Sequence, residues 1–137
     1  MLVWQLMNAL LSKKRGTLVM GILNITPDSF SDGGLYFRNV QNAVKHAGLM
    51  IKAGADIIDV GGESTRPGSV PVGVDEEMRR VLPVIQNLRK KFGRKIIISI
   101  DTNKAIVADA AIRAGANMVN ALGGFSFDPD LAKVVAC

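Results

Sequence analysis

Four polar side chains follow apolar stretches of the sequence, and their chemical types suit the binding of a polar ligand. Asn24, Asp59, Asp101 and Asn120 each come after two or more apolar residues. Carboxylates and amides hydrogen-bond the donors and acceptors of a polar heterocycle, or hold a cation through oxygen. Any one of the four is explained equally well as a strand-end cap or a turn former. Their repetition after successive apolar stretches favours a shared binding site.

The apolar stretches before these residues predict β-strands. They do not alternate polar and apolar residues, which is typical of strands buried on both faces. The predicted strands are LVMGIL (18–23), DIIDV (56–60), KIIISI (95–100) and NMVNA (117–121). Helical periodicity lies between them, so the strands are expected to pair in parallel in an α/β fold. In such folds ligands bind at the carboxyl ends of the strands, where the four polar residues are expected.

The helices between the strands are marked by apolar stripes and by glycines near their ends. One helix is predicted from Val40 to Ile51, a second from near Asp75, and a third from about Asn103 to Ala114. A glycine follows each predicted helix, at positions 54, 93 and 115, and glycine commonly ends a helix. The final stretch, LAKVVAC, predicts a fourth helix.

Composition excludes several classes of function. The chain has 137 residues and a formal net charge of +5, but its basic residues are not interleaved with aromatic ones, which argues against nucleic-acid binding. Its single cysteine, Cys137, rules out a disulfide framework and favours a reducing compartment, the cytoplasm. The apolar start, MLVWQLMNALL, is too short to span a membrane. It is expected to form a helix or strand that covers part of the core, within an N-terminal segment of residues 1–16.

Two polar loops follow the first two predicted strands and carry the most specific signal in the sequence. GILNITPDSFSDGG, followed by DIIDVGGESTRPG, resembles the paired signature of the dihydropteroate synthase family. ISIDT and NMVNALGG resemble the next two blocks of that family, and the likeness is colinear from about Thr17 to the end. The resemblance implies a TIM-type (β/α)8 barrel, of which residues 17–137 encode about the first four βα units.

The same resemblance implies a transferase of folate biosynthesis. The family joins 6-hydroxymethyl-7,8-dihydropterin pyrophosphate to p-aminobenzoate, which gives 7,8-dihydropteroate and pyrophosphate. Asn24 matches the residue that holds the substrate pyrophosphate together with Mg²⁺, its implied cofactor. Asp101 and Asn120 match residues that hydrogen-bond the pterin, and Asp59 is a further candidate for substrate binding. The implied partners are these small molecules and, for the full-length protein, a second copy in a homodimer, and the family is a target of sulfonamides.

The two loops are expected to close over the site and to form the p-aminobenzoate pocket. Their matching residues are Phe30 and Asp32 in the first loop and Thr65, Arg66 and Pro67 in the second. The resemblance makes Asn24, Asp32 and Arg66 the candidate catalytic residues. Release of pyrophosphate leaves positive charge on the pterin methylene. Stabilisation of this developing cation and of the departing pyrophosphate anion is therefore expected to dominate catalysis. The attacking amine then needs positioning more than activation.

The sequence departs from the family pattern in two ways. A full barrel needs about 250 residues, so the 137-residue chain is expected to lack synthase activity by itself. Ala121 replaces an aspartate that often follows the strand-four asparagine. Two alternatives stay open: the pterin-binding domain of a corrinoid-dependent methyltransferase, and a non-catalytic pterin-binding half-barrel. The loops TPDSFSDGG and STRPG favour the synthase, because the methyltransferase domain has no p-aminobenzoate to enclose.

Overall fold

Strands and helices alternate along the chain in the computed structural model, which describes residues 17–26, 39–65 and 68–136. The strands are β1 (Met20–Asn24), β2 (Ile57–Gly61), β3 (Ile97–Asp101) and β4 (Met118–Asn120). The helices are α1 (Val40–Lys52), α2 (Val74–Phe92), α3 (Ala105–Ala114) and α4 (Leu131–Ala136), with a short 3₁₀ turn at Gly93–Lys95. The predicted order of elements is therefore confirmed, while the predicted N-terminal segment, residues 1–16, lies outside the described residues.

The four strands form one parallel sheet in the order in which they occur in the chain, β1-β2-β3-β4. Each described connection between them contains a helix, which parallel pairing requires because the chain must return to the same end of the sheet. The carboxyl ends of all four strands consequently lie along one edge. This arrangement confirms the predicted α/β class.

The prediction that all four strands are buried on both faces is correct only for the central pair. The residues of β2 are buried throughout, and β3 is buried except at its last residue. In β1, however, the side chain of Ile22 is 62% exposed and that of Met20 is also exposed. The reason is that β1 and β4 are outer strands with one neighbour each, and the helices cover only one face of the sheet.

The main core lies between the sheet and the helices. The apolar side chains of β1, β2 and β3 that point towards the helices are buried, and Val119 of β4 is partly buried. The apolar residues that face them from α1, α2 and α3 are buried or partly buried. Its large, fully buried side chains include Leu23, Ile25, Ile58, Val60, Ile98, Ile100, Val81, Ile85 and Leu88. Helix α4 packs on α3 through Leu131, which is 0% exposed. No helix within the described ranges combines the length and hydropathy needed to cross a membrane.

At the amino-terminal side of the sheet, one arginine connects β3 and β4 to the helices that precede them. Arg89, on the last turn of α2, donates from Nε and Nη2 to the carbonyl of Gly115 at 3.0 and 2.6 Å. It also donates to the carbonyls of Gly93 and Ile96 and to the side-chain oxygen of Asn117. Gly115 has a φ of +119°, so its backbone ends α3 in a conformation that disfavours side chains. Arg89 therefore joins the ends of α2 and α3 to the starts of β3 and β4.

Replacing Arg89 with alanine is expected to lower the free energy of unfolding by about 2 kcal/mol, because it leaves the partly buried carbonyls of Gly115 and Ile96 without a charged donor. Urea denaturation followed by circular dichroism measures this loss. Arg113→Ala is the matched control, since the Arg113 side chain is 78% exposed and pairs with Asp109 four residues earlier. Equal destabilisation by the two variants would show that the Arg89 contacts contribute nothing specific.

Candidate functional site

The carboxyl edge of the sheet carries a row of polar residues at one level. Asn24 pairs in register with Gly61, Gly61 with Asp101, and Asp101 with Asn120. Register partners in a parallel sheet project to the same face, here the face opposite the helices. The structure thus brings together three of the predicted residues, Asn24, Asp101 and Asn120. Asn24 and Asn120 are exposed and Asp101 is partly buried, so the row is open to a ligand.

Gly61 is the residue of this row that the sequence pattern did not reveal. A Cβ atom placed on it would lie 3.4 Å from Oδ1 of Asn24 and 3.6 Å from Oδ2 of Asp101. The absence of a side chain at Gly61 therefore leaves a gap between an amide oxygen and a carboxylate oxygen. That gap is where a polar group of a ligand can reach both.

Asp59 differs from the other three predicted residues, because it lies two positions before the end of β2. Its register partners are Ile22 and Ser99, one level below the polar row. Asp59 is 2% exposed, and its Oδ2 accepts a hydrogen bond of 2.9 Å from Nδ2 of Asn120. Asp59 thus orients the Asn120 amide so that the Asn120 carbonyl oxygen remains available to a ligand donor. The direct substrate contact predicted for Asp59 stays a prediction.

Two oxygens below the polar row are buried without a hydrogen-bond partner among the described residues. They are Oδ1 of Asp59 and Oγ of Ser99, which belong to register partners. Buried polar groups normally find partners, since leaving one unpaired costs about 1–3 kcal/mol. The inner face of the sheet therefore holds hydrogen-bonding capacity that a polar ligand can use.

The Asp101 carboxyl group has an unusual acidity. Burial, and after it the negative charges of Asp59, Glu77 and Glu63, raise its pKa from 3.8 to about 6. A raised pKa of this kind is typical of functional sites, where burial and like charges are brought together. The same negative field favours a ligand that carries or develops positive charge beside Asp101.

Beside the polar row lies a pocket of about 170 Å³ between the loop after β2 and the loop after β3. Its walls are polar except for one leucine. The lining residues are Glu63, Ser64, Thr65, Ser69, Glu77, Asp101, Thr102, Asn103 and Leu122. The predicted residue Thr65, in the loop after β2, thus reaches the same pocket as Asp101 at the end of β3. A ligand held by the polar row can extend towards Thr65.

The oxygen atoms at the Gly61 gap suit a cation that needs few protein ligands. Magnesium prefers oxygen ligands and usually completes its shell with water and substrate phosphates. Within the described ranges, no group of three or more His, Cys, Asp or Glu side chains is placed to hold a metal. The exposed Asn24 amide oxygen and the Asp101 carboxylate oxygen, on either side of the Gly61 gap, are of the type that Mg²⁺ binds.

Four of the predicted site residues, Phe30, Asp32, Arg66 and Pro67, lie outside the described residues. Conversely, the structure reveals a site residue that the sequence analysis missed. Glu77 lies in the first turn of α2, where acidic residues usually face solvent, yet it is 0% exposed and lines the pocket. Its helical spacing from Val81 and Leu88, which puts it on the apolar face, is the signal that could have identified it.

Comparison with known proteins gives a consistent result. Residues 20–137 match the family model described as "Pterin binding enzyme". The chain is 56% identical over 126 residues to the dihydropteroate synthase of Bacillus subtilis, and the match covers 92% of this chain and 43% of that enzyme. The chain therefore spans less than half the length of this curated relative.

The solved structures that resemble this chain include dihydropteroate synthases as well. The dihydropteroate synthase of Clostridium difficile, crystallised in the presence of pteroic acid, superposes with a TM-score of 0.78 at 55% identity, over 87% of this chain and 44% of that one. The Xanthomonas albilineans dihydropteroate synthase with 4-aminobenzoic acid gives 0.76 at 46% identity, over 87% and 43%. Both likenesses extend over most of the described chain.

Proposed function

Because the chain belongs to the pterin-binding enzyme family, we propose that it is the part of a dihydropteroate synthase that binds the pterin substrate. The reaction is the condensation of 6-hydroxymethyl-7,8-dihydropterin pyrophosphate with 4-aminobenzoate, which yields 7,8-dihydropteroate and pyrophosphate. One observation carries the proposal: Asn24, Asp101 and Asn120 stand in register at the carboxyl edge of the sheet. The likeness to synthases solved with pteroic acid and 4-aminobenzoic acid supports the choice of ligands.

The polar row recognises the pterin in this proposal. The Asp101 carboxylate accepts hydrogen bonds from ring N–H groups, and the Asn120 carbonyl oxygen accepts another. Asp59 holds the Asn120 amide in the orientation that this pairing requires. The carboxylates around Asp101 also stabilise the positive charge that develops on the pterin methylene as pyrophosphate leaves.

Asn24 lies at the pyrophosphate end of the substrate in this proposal, where its amide oxygen would hold a Mg²⁺ ion. Such an ion would supply positive charge to offset that of the departing pyrophosphate. Arg66 and Asp32 are proposed to act at the same end, on the strength of the family motifs in which they occur. Asn24 lies on the sheet, so it positions the pyrophosphate relative to the pterin held by Asp101.

The second substrate, 4-aminobenzoate, is proposed to bind in the pocket that Thr65 and Asp101 share, with Phe30 and Pro67 completing it. This pocket lies next to the polar row, so the amine nitrogen is held near the pterin methylene and the reaction becomes effectively unimolecular. A sulfonamide that mimics 4-aminobenzoate is expected to compete for the same space. The proposal also includes a cytoplasmic location and, for the full-length protein, a homodimer.

The primary test of the proposal is ligand binding, because the chain spans less than half the length of its relatives. Isothermal titration calorimetry with 6-hydroxymethyl-7,8-dihydropterin pyrophosphate and Mg²⁺ is expected to show one saturable site per chain. Added 4-aminobenzoate is not expected to give 7,8-dihydropteroate with this chain by itself, so ligand binding is the deciding readout. Absence of pterin binding would contradict the proposal. Binding with methyl transfer from methyltetrahydrofolate would instead assign the chain to the corrinoid-dependent methyltransferases.

A further inference from the structure

A single lysine joins three segments around the pocket. Lys104, three residues after the end of β3, donates from Nζ to Oε2 of Glu77 at 2.5 Å and to Oε2 of Glu63. Glu77 belongs to α2, and Glu63 lies in the loop that follows β2. Burial acts to lower the pKa of Lys104, but the two carboxylate partners outweigh it and raise the pKa above its ordinary value. Lys104 is therefore a positively charged bridge at neutral pH.

Stability alone does not explain this bridge. Glu77 is 0% exposed, and its Oε1 has no hydrogen-bond partner among the described residues. Burying a carboxylate costs several kcal/mol, and replacing a buried ion pair with apolar side chains of similar volume is often neutral or stabilising. An apolar residue at position 77 would fit the apolar stripe of α2. The Lys104–Glu77 pair therefore has no evident stabilising effect on the fold, but Glu77 lies at the wall of the substrate pocket.

The loop that carries Glu63 also contacts α2 through Gly62, the residue before Glu63. The carbonyl of Gly62 accepts a hydrogen bond of 2.8 Å from Nη1 of Arg80. Gly62 packs so closely that an added Cβ would lie 2.8 Å from Cγ1 of Val81 and 3.0 Å from Cγ of Glu77. The backbone at Gly62 is therefore held by packing, whereas beyond it Glu63 is held by Lys104.

We infer that Lys104 is a positioning residue for the second substrate. Its bridge from Glu77 to Glu63 holds the first residues of the loop, 62–65, so that Thr65 stays at the wall of the pocket. The identity of the ligand in that pocket rests on the proposed function, but the positioning of the loop by Lys104 does not.

Backbone dynamics and binding of the second substrate test this inference together. Lys104→Met removes the charge, Lys104→Arg keeps it, and Glu63→Gln weakens only the loop side of the bridge. The order parameters of amides 63–65 from ¹⁵N relaxation are expected to fall from about 0.85 to below about 0.6 in Lys104→Met and Glu63→Gln, with β2 and β3 unchanged. Lys104→Arg is expected to restore them. Lys133→Met is the control, because Lys133 pairs with Asp130 in an exposed position on α4.

The affinity for 4-aminobenzoate, titrated into protein saturated with 6-hydroxymethyl-7,8-dihydropterin pyrophosphate and Mg²⁺, is expected to fall about tenfold in the same two variants. Unchanged order parameters at 63–65 in Glu63→Gln, which leaves the buried Lys104–Glu77 pair intact, would overturn the inference. A uniform loss of order across the sheet would do the same, since it would mean a purely structural role. If wild-type protein binds no pterin, the proposed function fails, and the relaxation data still decide the role of Lys104.

Discussion

Replacing Asp101 with alanine is expected to weaken the binding of 6-hydroxymethyl-7,8-dihydropterin pyrophosphate by about 100-fold or more. Loss of the carboxylate leaves ring N–H donors unpaired in a partly buried site, and an unsatisfied buried donor costs about 1–3 kcal/mol, more when a charged partner is lost. Isothermal titration calorimetry measures the change directly. Asp109→Ala is the matched control, because Asp109 lies on α3 and pairs with Arg113 at the surface. An affinity within twofold of wild type in Asp101→Ala would remove Asp101 from the site.

The isosteric variant Asp101→Asn is expected to bind the pterin more weakly and yet to be more stable than wild type at pH 7. The pKa of Asp101 is about 6 in the folded protein and near 3.8 when unfolded, so between these values the folded state binds the extra proton. Stability contributed by this group therefore falls as the pH rises from about 4 to 6. At pH 7 Asp101→Asn should unfold at a higher urea concentration than wild type, and the difference should vanish below about pH 4. A variant that binds pterin weakly yet is less stable at pH 7 would contradict this electrostatic account.

Asn24→Ala is expected to remove the contribution of Mg²⁺ to binding of the pyrophosphate ligand. With Mg²⁺ present, the affinity of Asn24→Ala for this ligand should be roughly 30- to 100-fold lower than that of wild type. This corresponds to about 2–3 kcal/mol, at about 1.4 kcal/mol per factor of ten. Without Mg²⁺ the variant and wild type should bind this ligand alike, because the amide oxygen then has no metal to hold. Because Asn24 is exposed, the substitution is not expected to impair folding, so the loss of affinity reports on ligand binding.

The matched ligand for this experiment is 6-hydroxymethyl-7,8-dihydropterin, which lacks the pyrophosphate. Its affinity is expected to be the same in Asn24→Ala and wild type, with or without Mg²⁺, because the polar contacts of Asp101 and Asn120 are retained. Asn42→Ala, an exposed substitution on α1, serves as the protein control. Equal loss of affinity for both pterins would place Asn24 against the ring and remove it from the metal site.

The order and pairing of the elements were predictable because they depend on local patterns. Uninterrupted apolar runs predict strands, apolar stripes predict the helices between them, and the alternation of the two requires parallel strands. The likeness to solved synthases confirms that these elements are the first units of a TIM-type barrel. Exposure of Ile22 and Met20 was not predictable, because whether a strand is covered depends on which neighbours it acquires.

The sequence by itself determined which residues end the strands and therefore that Asn24, Asp101 and Asn120 share one edge. Tertiary structure decided how they are arranged, because register between strands places Gly61 in their row and Asp59 one level below it. Tertiary structure also decided which charged side chains meet at the pocket. Lys104 and Glu77 are 27 positions apart in the chain, and only the packing of α2 against the ends of β2 and β3 brings them together. Local patterns carry no information on such a contact, since it arises from the geometry of packed elements.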